Sequence, residues 1–295
     1  MIITRLIGGL GNQMFQYAVA RRLAYTLGTG LKLDVSGYQK QRRLTPREYN
    51  LSVFNIVKQI ASPKEIDSLK GSSFSLPILH IMEKLTRIKL TPSSYINRIT
   101  ETRFDPSILT LPDNVYLEGI WQSEKYFMDI AEIIRKEFTF KNPSVGKNKE
   151  LSELITSVEA VSIHVRRTDY VHNPQTQQMH GSCGIDYYRR CVEELTKKIK
   201  NPHFFIFSDD PAWISTNLKL PYTTTLVTHN QADQGHEDLR LMSQCKHHII
   251  ANSSFSWWGA WLNPRSEKIV FAPQRWFKNL SFDSNDIIPS GWIKL

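Results

Sequence analysis

The run Val161-Ser162-Ile163-His164-Val165-Arg166-Arg167-Thr168-Asp169-Tyr170 constrains this chain more than any other stretch. Val161, Ile163 and Val165 alternate with Ser162, His164 and Arg166, the two-residue period of a strand with one apolar face. Arg167, Thr168 and Asp169 follow where the strand gives way to a loop. In parallel α/β sheets, ligands sit outside the carboxyl ends of the strands. Two adjacent arginines at such an end make a phosphate clamp, because a planar guanidinium donates two parallel hydrogen bonds to an oxyanion. The plainer alternative is an ion pair between one arginine and Asp169.

The remainder of the second half reads as successive strand–helix units, hence a parallel sheet. A strand from His203 to Phe207 runs into Ser208-Asp209-Asp210, and Pro211 opens a helix. Another, His247 to Ala251, breaks into Asn252-Ser253-Ser254-Phe255-Ser256 before the helical Trp257 to Leu262. Tyr222 to Val227 and Lys268 to Phe271 are further strands, and Asp186 to Lys200 and Glu237 to Cys245 are helices. Polar residues thus gather at the ends of separate strands: His164 with Arg166 and Arg167, Asp209 with Asp210, and Asn252 with Ser253 and Ser254. Together they describe a nucleotide site. Arginines take the pyrophosphate, carboxylates take base or ribose donors, and a serine-rich helix start turns backbone N–H groups toward phosphate. Ordinary strand-to-helix turns with N-caps are the alternative.

The first half opens with a strand, Ile2 to Ile7, and a glycine turn, Gly8-Gly9-Leu10-Gly11-Asn12-Gln13. A helix from Met14 to Leu27 and a strand from Leu31 to Asp34 follow. The turn invites a dinucleotide reading with Asp34 on a ribose, but Met14 occupies the third small position, where bulk hinders helix–strand packing. Ser62 to Glu65 reads as a helix start. Ile78 to Leu90 mixes apolar residues with His80, Lys84, Arg87 and Lys89, and reads as a surface helix or a membrane-facing patch. Val115 to Gln122 is a strand, and Ser123 caps a helix expected from Glu124 to Phe138. Trp121 and Gln122, an aromatic face beside an amide, line a sugar pocket or serve as core and cap. Lys141 to Lys149 is polar and turn-rich, a linker that divides residues 1–150 from 151–295.

Composition narrows the partners. A formal charge of +9 suits an anionic ligand or surface, while no dense Lys/Arg run or nucleic-acid module is present. A hydrophobic fraction of 41% with seven tryptophans is ample for full cores, which excludes disorder. Three cysteines without metal-type spacing fit neither a disulfide framework nor a zinc site, and point to a reducing compartment. No signal-peptide pattern opens the chain, and no apolar run approaches the roughly 20 residues that span a bilayer. A cytoplasmic placement follows, extended by a peripheral contact at the inner face of the plasma membrane.

Four stretches, in chain order, resemble glycosyltransferase family 11, the α-1,2-fucosyltransferases. They are Gly8-Gly9-Leu10-Gly11-Asn12-Gln13-Met14-Phe15-Gln16-Tyr17, Gly119 to Phe127, the His-x-Arg-Arg-x-Asp run at 164 to 169, and Asn252 to Gly259. The resemblance implies an α/β fold of GT-B type, two facing Rossmann-like domains. Residues 1–150 would take the acceptor and residues 151–295 the donor. It further implies a bacterial enzyme that moves L-fucose from GDP-β-L-fucose to the 2-hydroxyl of a terminal galactose, in an oligosaccharide or a lipid-linked glycan. Transfer would invert the anomeric carbon, with no metal and no cofactor besides the donor. Another linkage, another nucleotide sugar, or a non-catalytic binding protein on the same scaffold are the alternatives.

The expected donor-site residues are His164, Arg166, Arg167, Asp209, Asp210, Asn252, Ser253, Ser254 and Phe255. Gly11, Gln13, Trp121 and Gln122 are expected at the acceptor. Charge grows on the leaving β-phosphate as the C1–O bond breaks, so fixed cations and N–H dipoles must meet it. Arg166 is the first choice for this role and Arg167 the second. Asp169, beside two arginines, has its pKa lowered and is a poor base, so its expected part is to hold an arginine. Asn12 can orient the acceptor hydroxyl but cannot deprotonate it. No general base is evident, and a dissociative displacement lets the departing phosphate take the proton.

Overall fold

The computed structural model describes residues 1–38, 47–71, 78–79, 81–82, 85, 91–279 and 281–295. The side chains of Asp169 and His172 also lie outside what it describes. The chain forms two compact units, Met1–Thr139 and Phe140–Leu295. The division thus falls after Thr139, and the stretch read as linker contains the start of a helix, Gly146–Ser157, which belongs to the second unit.

The first unit is built on a parallel sheet of β1 (Ile2–Arg5), β2 (Leu31–Asp34), β3 (Tyr95–Arg98) and β4 (Val115–Gly119), in the order β2-β1-β4-β3. The helix after the glycine turn spans Leu10–Thr26, starting earlier than its apolar periodicity predicts because extended Gly9 already serves as N-cap. The Pro63–Lys70 helix begins where a helix start was expected and carries a capping box: Ser62 N–H donates to the Glu65 carboxylate at 2.9 Å, and Ser62 Oγ accepts the Glu65 N–H at 3.4 Å. β4 stops short of Trp121, whose φ of 58° leaves the extended region. The helix expected from Glu124 begins as two 3₁₀ turns, and only Ala131–Glu137 is α-helical.

Strand register places Arg5 beside Asp34 on β2 and one step beyond the Thr4–Leu117 pair on β4. A buried ionic cluster results. Glu118 pairs with Arg5 and with Lys70 (2.9 Å), and accepts the Tyr95 hydroxyl at 2.6 Å. Asp34 accepts the Tyr116 hydroxyl and the Ser36 N–H, and is itself buried. Those contacts close the dinucleotide reading, since Asp34 has structural partners and no exposure for a ribose.

The second unit carries β5 (Glu159–Val165), β6 (Pro202–Ser208), β7 (Thr224–Val227), β8 (His247–Ile249), β9 (Val270–Ala272) and β10 (Ile293–Lys294). All pairings are parallel, in the order β10-β9-β8-β5-β6-β7. Counted from its own first strand this is 3-2-1-4-5-6, the order of a doubly wound nucleotide-binding sheet. Val161, Ile163 and Val165 pack with Phe204, Ile206 and the Tyr187–Leu195 face of the Ile185–Thr196 helix. Each such buried aliphatic or aromatic side chain contributes about 1.5–3 kcal/mol. The opposite face of β5 is buried too: Ser162 Oγ meets His248 Nδ1 at 2.8 Å, and Asn263 meets His248 Nε2 at 2.9 Å. Two short helices that the sequence pattern does not signal, Thr168–His172 and Pro174–Met179, follow β5.

All three cysteines are free thiols. Among the described residues, no helix is long and apolar enough to cross a membrane. The segment read from Ile78 to Leu90 lies largely outside the described residues.

Burial pushes the Glu118 carboxyl up, but the Tyr95 hydroxyl, Lys70 and Arg5 outweigh it and hold the group below its usual value. A depressed folded pKa stabilises the protein above the unfolded value and loses that contribution as pH falls. Glu118→Gln should therefore cost about 2–3 kcal/mol in urea unfolding at neutral pH. That is less than the roughly 3–5 kcal/mol of a fully buried pair, because the Arg5 side chain is 30% exposed. Below pH 4.5 the difference between wild type and variant should shrink.

Candidate functional site

In the second sheet the chain order reverses between β5 and β8, and the carboxyl ends of these strands frame the crevice where such sheets bind ligands. Val165 of β5 is paired with Ser208 of β6, so the residues just beyond, Arg166 and Asp209, face each other. Arg166 Nη1 lies 3.0 Å from Asp209 Oδ2. The same carboxylate accepts the Arg167 N–H (2.8 Å), the Thr168 N–H (3.2 Å) and the Thr168 hydroxyl (2.5 Å). Asp210 accepts Arg167 Nε at 3.2 Å and caps the Pro211–Asn217 helix through the Trp213 N–H at 3.1 Å. The Arg167 guanidinium lies 3.9 Å from the centre of the Trp213 ring, a close cation–π contact.

This arrangement reassigns the carboxylates. Asp209 and Asp210, expected to accept base or ribose donors, hold the two arginines, the part expected of Asp169. Asp169 itself sits on the Thr168–His172 helix, and its side chain lies outside the described residues. Asn252 also differs from expectation. Its Nδ2 donates to the carbonyls of His180 (3.1 Å), Gly181 (3.2 Å) and Trp276 (3.1 Å), so the amide ties loops together behind the site. Ser253 is the N-cap of the Ser254–Leu262 helix and accepts the Phe255 N–H at 3.4 Å. Ser254 and Phe255 form its first turn, and the Phe255 ring lies 5.6 Å from that of His164.

Sequence reasoning missed Thr168 and Tyr170. The Tyr170 ring lies 5.8 Å from the Arg166 guanidinium and stacks on His180 at 5.0 Å, while its hydroxyl donates to the Asn252 carbonyl at 3.2 Å. Their signal was proximity in the chain: both follow Arg166 closely, in the Thr168–His172 helix that succeeds β5.

The electrostatics are balanced. Burial pushes the Asp209 carboxyl up, but Arg166, the Thr168 hydroxyl and the Arg167 N–H prevail and keep it below the usual carboxylate range. His164 is buried, and its Nδ1 has no hydrogen-bond partner among the described residues. Burial lowers its pKa to about 4, with Asp209 raising it and Arg166 lowering it further. His164 is therefore neutral at physiological pH. Two guanidinium and two carboxylate charges cancel, so what the site offers an anion is directed N–H groups and a helix N-terminus rather than net charge. Among the described residues, no three His, Cys, Asp or Glu side chains are grouped to hold a metal ion.

In the first unit the reversal lies between β1 and β4. Gln122 Nε2 donates to Asn12 Oδ1 at 2.8 Å across it. Gly8, with φ +78°, leaves room for this amide: a Cβ there would lie 2.7 Å from Asn12 Nδ2. Gly11 is buried in the first helical turn. Gln13, expected at the acceptor, is fully buried; it donates to the Gly8 and Glu48 carbonyls and accepts the Asn50 N–H, and so anchors the 48–50 segment. Trp121 is core rather than pocket wall, 4% exposed and edge-on to Tyr126.

His164 binds its proton less tightly folded than unfolded, so its contribution to stability is complete above its ordinary value of 6.5 and is lost as pH falls toward 4. The expected slope is at most about 1.4 kcal/mol per pH unit. An NMR titration should place the imidazole near pH 4 in the wild type. In Asp209→Asn it should titrate lower still, because the attraction that raises it is removed.

Comparison with known proteins gives the family and the fold. The model of the family described as Glycosyl transferase family 11 matches residues 1–295. An alpha-1,2-colitosyltransferase of Escherichia coli is 34% identical, with 100% of this chain and 99% of the relative aligned. A galactoside alpha-(1,2)-fucosyltransferase 1 of Mus musculus is 26% identical over 86% of this chain and 61% of its own length. Among solved structures, a mutant of Arabidopsis thaliana FUT1 in complex with GDP superposes with a TM-score of 0.53 at 12% identity, covering 98% of this chain and 74% of that one. Likeness at that level speaks to the fold alone, which is GT-B. The chain belongs to glycosyltransferase family 11.

Proposed function

We propose that the protein transfers L-fucose from GDP-β-L-fucose to the 2-hydroxyl of a terminal galactose in an oligosaccharide or lipid-linked glycan. The reaction inverts the anomeric carbon and uses no metal. One observation carries this reading: Arg166 is gripped by Asp209 beside neutral His164, at the carboxyl ends of a doubly wound sheet. As the C1–O bond breaks, its electron pair passes to the β-phosphate and positive charge spreads over the sugar ring. Guanidinium and backbone N–H donors fixed in advance stabilise that phosphate without reorganising. The acceptor hydroxyl forms the new bond on the opposite face, oriented by Asn12, and its proton passes to the departing phosphate. The names of both relatives carry the α-1,2 linkage.

A second reading has its own support, the 34% identity to a colitosyltransferase over the full chain. Colitose is L-fucose without the 3-hydroxyl, so the same chemistry serves either sugar. Incubation with GDP-fucose and GDP-colitose, a panel of galactosides and linkage analysis separates the two. The expected product is 2-fucosylated and forms equally well in EDTA. A colitose product alone favours the second reading, and a strict Mg²⁺ or Mn²⁺ requirement removes the metal-free mechanism. Arg166→Lys should lower kcat and kcat/KM together, by about 100-fold or more, with Arg166→Ala worse. Near-normal kcat in Arg166→Ala would take this residue out of the mechanism.

We also propose peripheral contact with the cytoplasmic face of a membrane. Helical residues Ile78, Ile81, Met82 and Leu85 are 59%, 61%, 45% and 79% exposed, at the spacing of one apolar stripe. The surrounding sequence is basic, with His80, Lys84, Arg87 and Lys89. Co-flotation with phosphatidylglycerol vesicles should be strong, weaker with phosphatidylcholine, and at least about tenfold reduced by Leu85→Asp. No binding to either vesicle would end this proposal.

A further inference from the structure

The place where the first sheet changes direction is bridged by one buried side chain. Gln16 is fully buried. Its Oε1 accepts the Ile7 N–H at 2.9 Å, and its Nε2 donates to the Gly119 carbonyl at 3.0 Å. Ile7 lies two residues beyond β1, and Gly119 ends β4. Paired register between these strands runs only to Thr4 and Leu117, so the carboxamide takes over where the two chains part. Without the carboxamide, that buried N–H and carbonyl would be left unsatisfied.

What the bridge fixes is the spacing of two turns. On one side, Ile7 leads through Gly8 to Asn12. On the other, Gly119 leads to Trp121, held at φ 58° with its indole packed where a Gly119 Cβ would lie 2.5 Å from Cε2. Gln122 comes next and donates to Asn12 Oδ1. Gln16, the Gly8 turn, Asn12, Gln122 and Gly119 thus form a closed ring of contacts. Within it the Asn12 amide accepts through Oδ1 from Gln122, so the two carboxamides orient each other.

We propose that Gln16 is a positioning residue for the acceptor: by joining Ile7 to Gly119 it sets the Asn12–Gln122 amide pair and, through it, the direction of the attacking hydroxyl. This rests on the acceptor role proposed for Asn12. A displacement near 1 Å costs transfer about 100-fold, so loosening the ring should be visible in kinetics.

Gln16→Glu keeps size and shape, still accepts from Ile7, and turns a carboxylate oxygen onto the Gly119 carbonyl. Gln16→Met removes both bonds without adding charge. For each, kcat/KM for the acceptor should fall by about tenfold or more. The GDP-induced thermal shift and the slow hydrolysis of the donor by water should stay within about twofold of wild type. Burial raises the pKa of a carboxyl, and once protonated the introduced carboxyl would again donate to Gly119. Transfer by Gln16→Glu relative to wild type should therefore recover from about pH 8 to about pH 5.5. Combined with Gln122→Met, either variant should be no worse than the poorer single change, since both act through Asn12.

Acceptor kinetics within about twofold of wild type, additive losses, or equal loss of donor hydrolysis and GDP binding would overturn the proposal and leave Gln16 a structural residue. A variant that failed to fold at neutral pH is replaced by Gln16→Glu at the acid end of the series, where the hydrogen-bond donor is restored. Wild-type protein that transfers neither sugar would sink the functional reading itself, before any variant is compared.

Discussion

The Asp209 carboxylate is the interaction on which the second unit's site depends. From the end of β6 it reaches across to the end of β5 and takes up the Arg166 side chain, two successive backbone N–H groups and the Thr168 hydroxyl. A turn that leaves a strand carrying two adjacent arginines would otherwise be repelled by its own charge and free to splay. Asp209 fixes its path and starts the Thr168–His172 helix, from which Tyr170 reaches Arg166 on one side and Asn252 on the other. One acidic side chain thus supports the arginine, the turn and the helix that flanks the site.

Both sheets solve the same problem with different chemistry. Beyond the carboxyl ends of two adjacent strands the ladder stops, and side chains bridge the gap, between β5 and β6 in the second unit and between β1 and β4 in the first. In the second unit the bridges are ion pairs, Arg166 with Asp209 and Arg167 with Asp210. In the first they are neutral amides, Gln16 across the strand ends and Gln122 to Asn12. Guanidinium groups suit an oxyanion, which rewards charge and forked geometry. Carboxamides suit a sugar hydroxyl, which needs both donors and acceptors and gains nothing from a net charge.

Much of this was legible in the sequence, and the failures have physical causes. β5 could be read because its alternation and its arginines lie within one segment. The helix start at Ser62 to Glu65 was equally local, while the helix read from Trp257 begins earlier, at Ser254 behind its N-cap Ser253. What could not be read were contacts set by register between strands. Asp169 is nearest to the arginines in sequence, but the Val165–Ser208 pairing delivers Asp209 instead. Asn252 and Gln13 looked like ligand-binding amides, and burial turned both into loop anchors. Trp121 could be read as pocket wall or as core, and its positive φ, which sets the indole over Gly119, makes it core. Gln16 sat inside a quoted motif without a role, because its two partners come from different strand ends.

The charge states around the proposed donor site bear on how the proton leaves the acceptor. A general base works best with a pKa near the operating pH. His164 is far below that, at about 4, and Asp209 is depressed by the arginine it holds. The amide of Asn12 does not titrate near neutrality at all. Each of these groups can direct a hydrogen bond, and none is poised to take a proton early. An enzyme so arranged gains more by stabilising the leaving phosphate than by sharpening the nucleophile. In the transfer proposed above, bond breaking would run ahead of bond making, the sugar would carry most of the charge, and the hydroxyl would become acidic only as it meets that cation. By then the phosphate would have gained its negative charge and be the strongest base at hand.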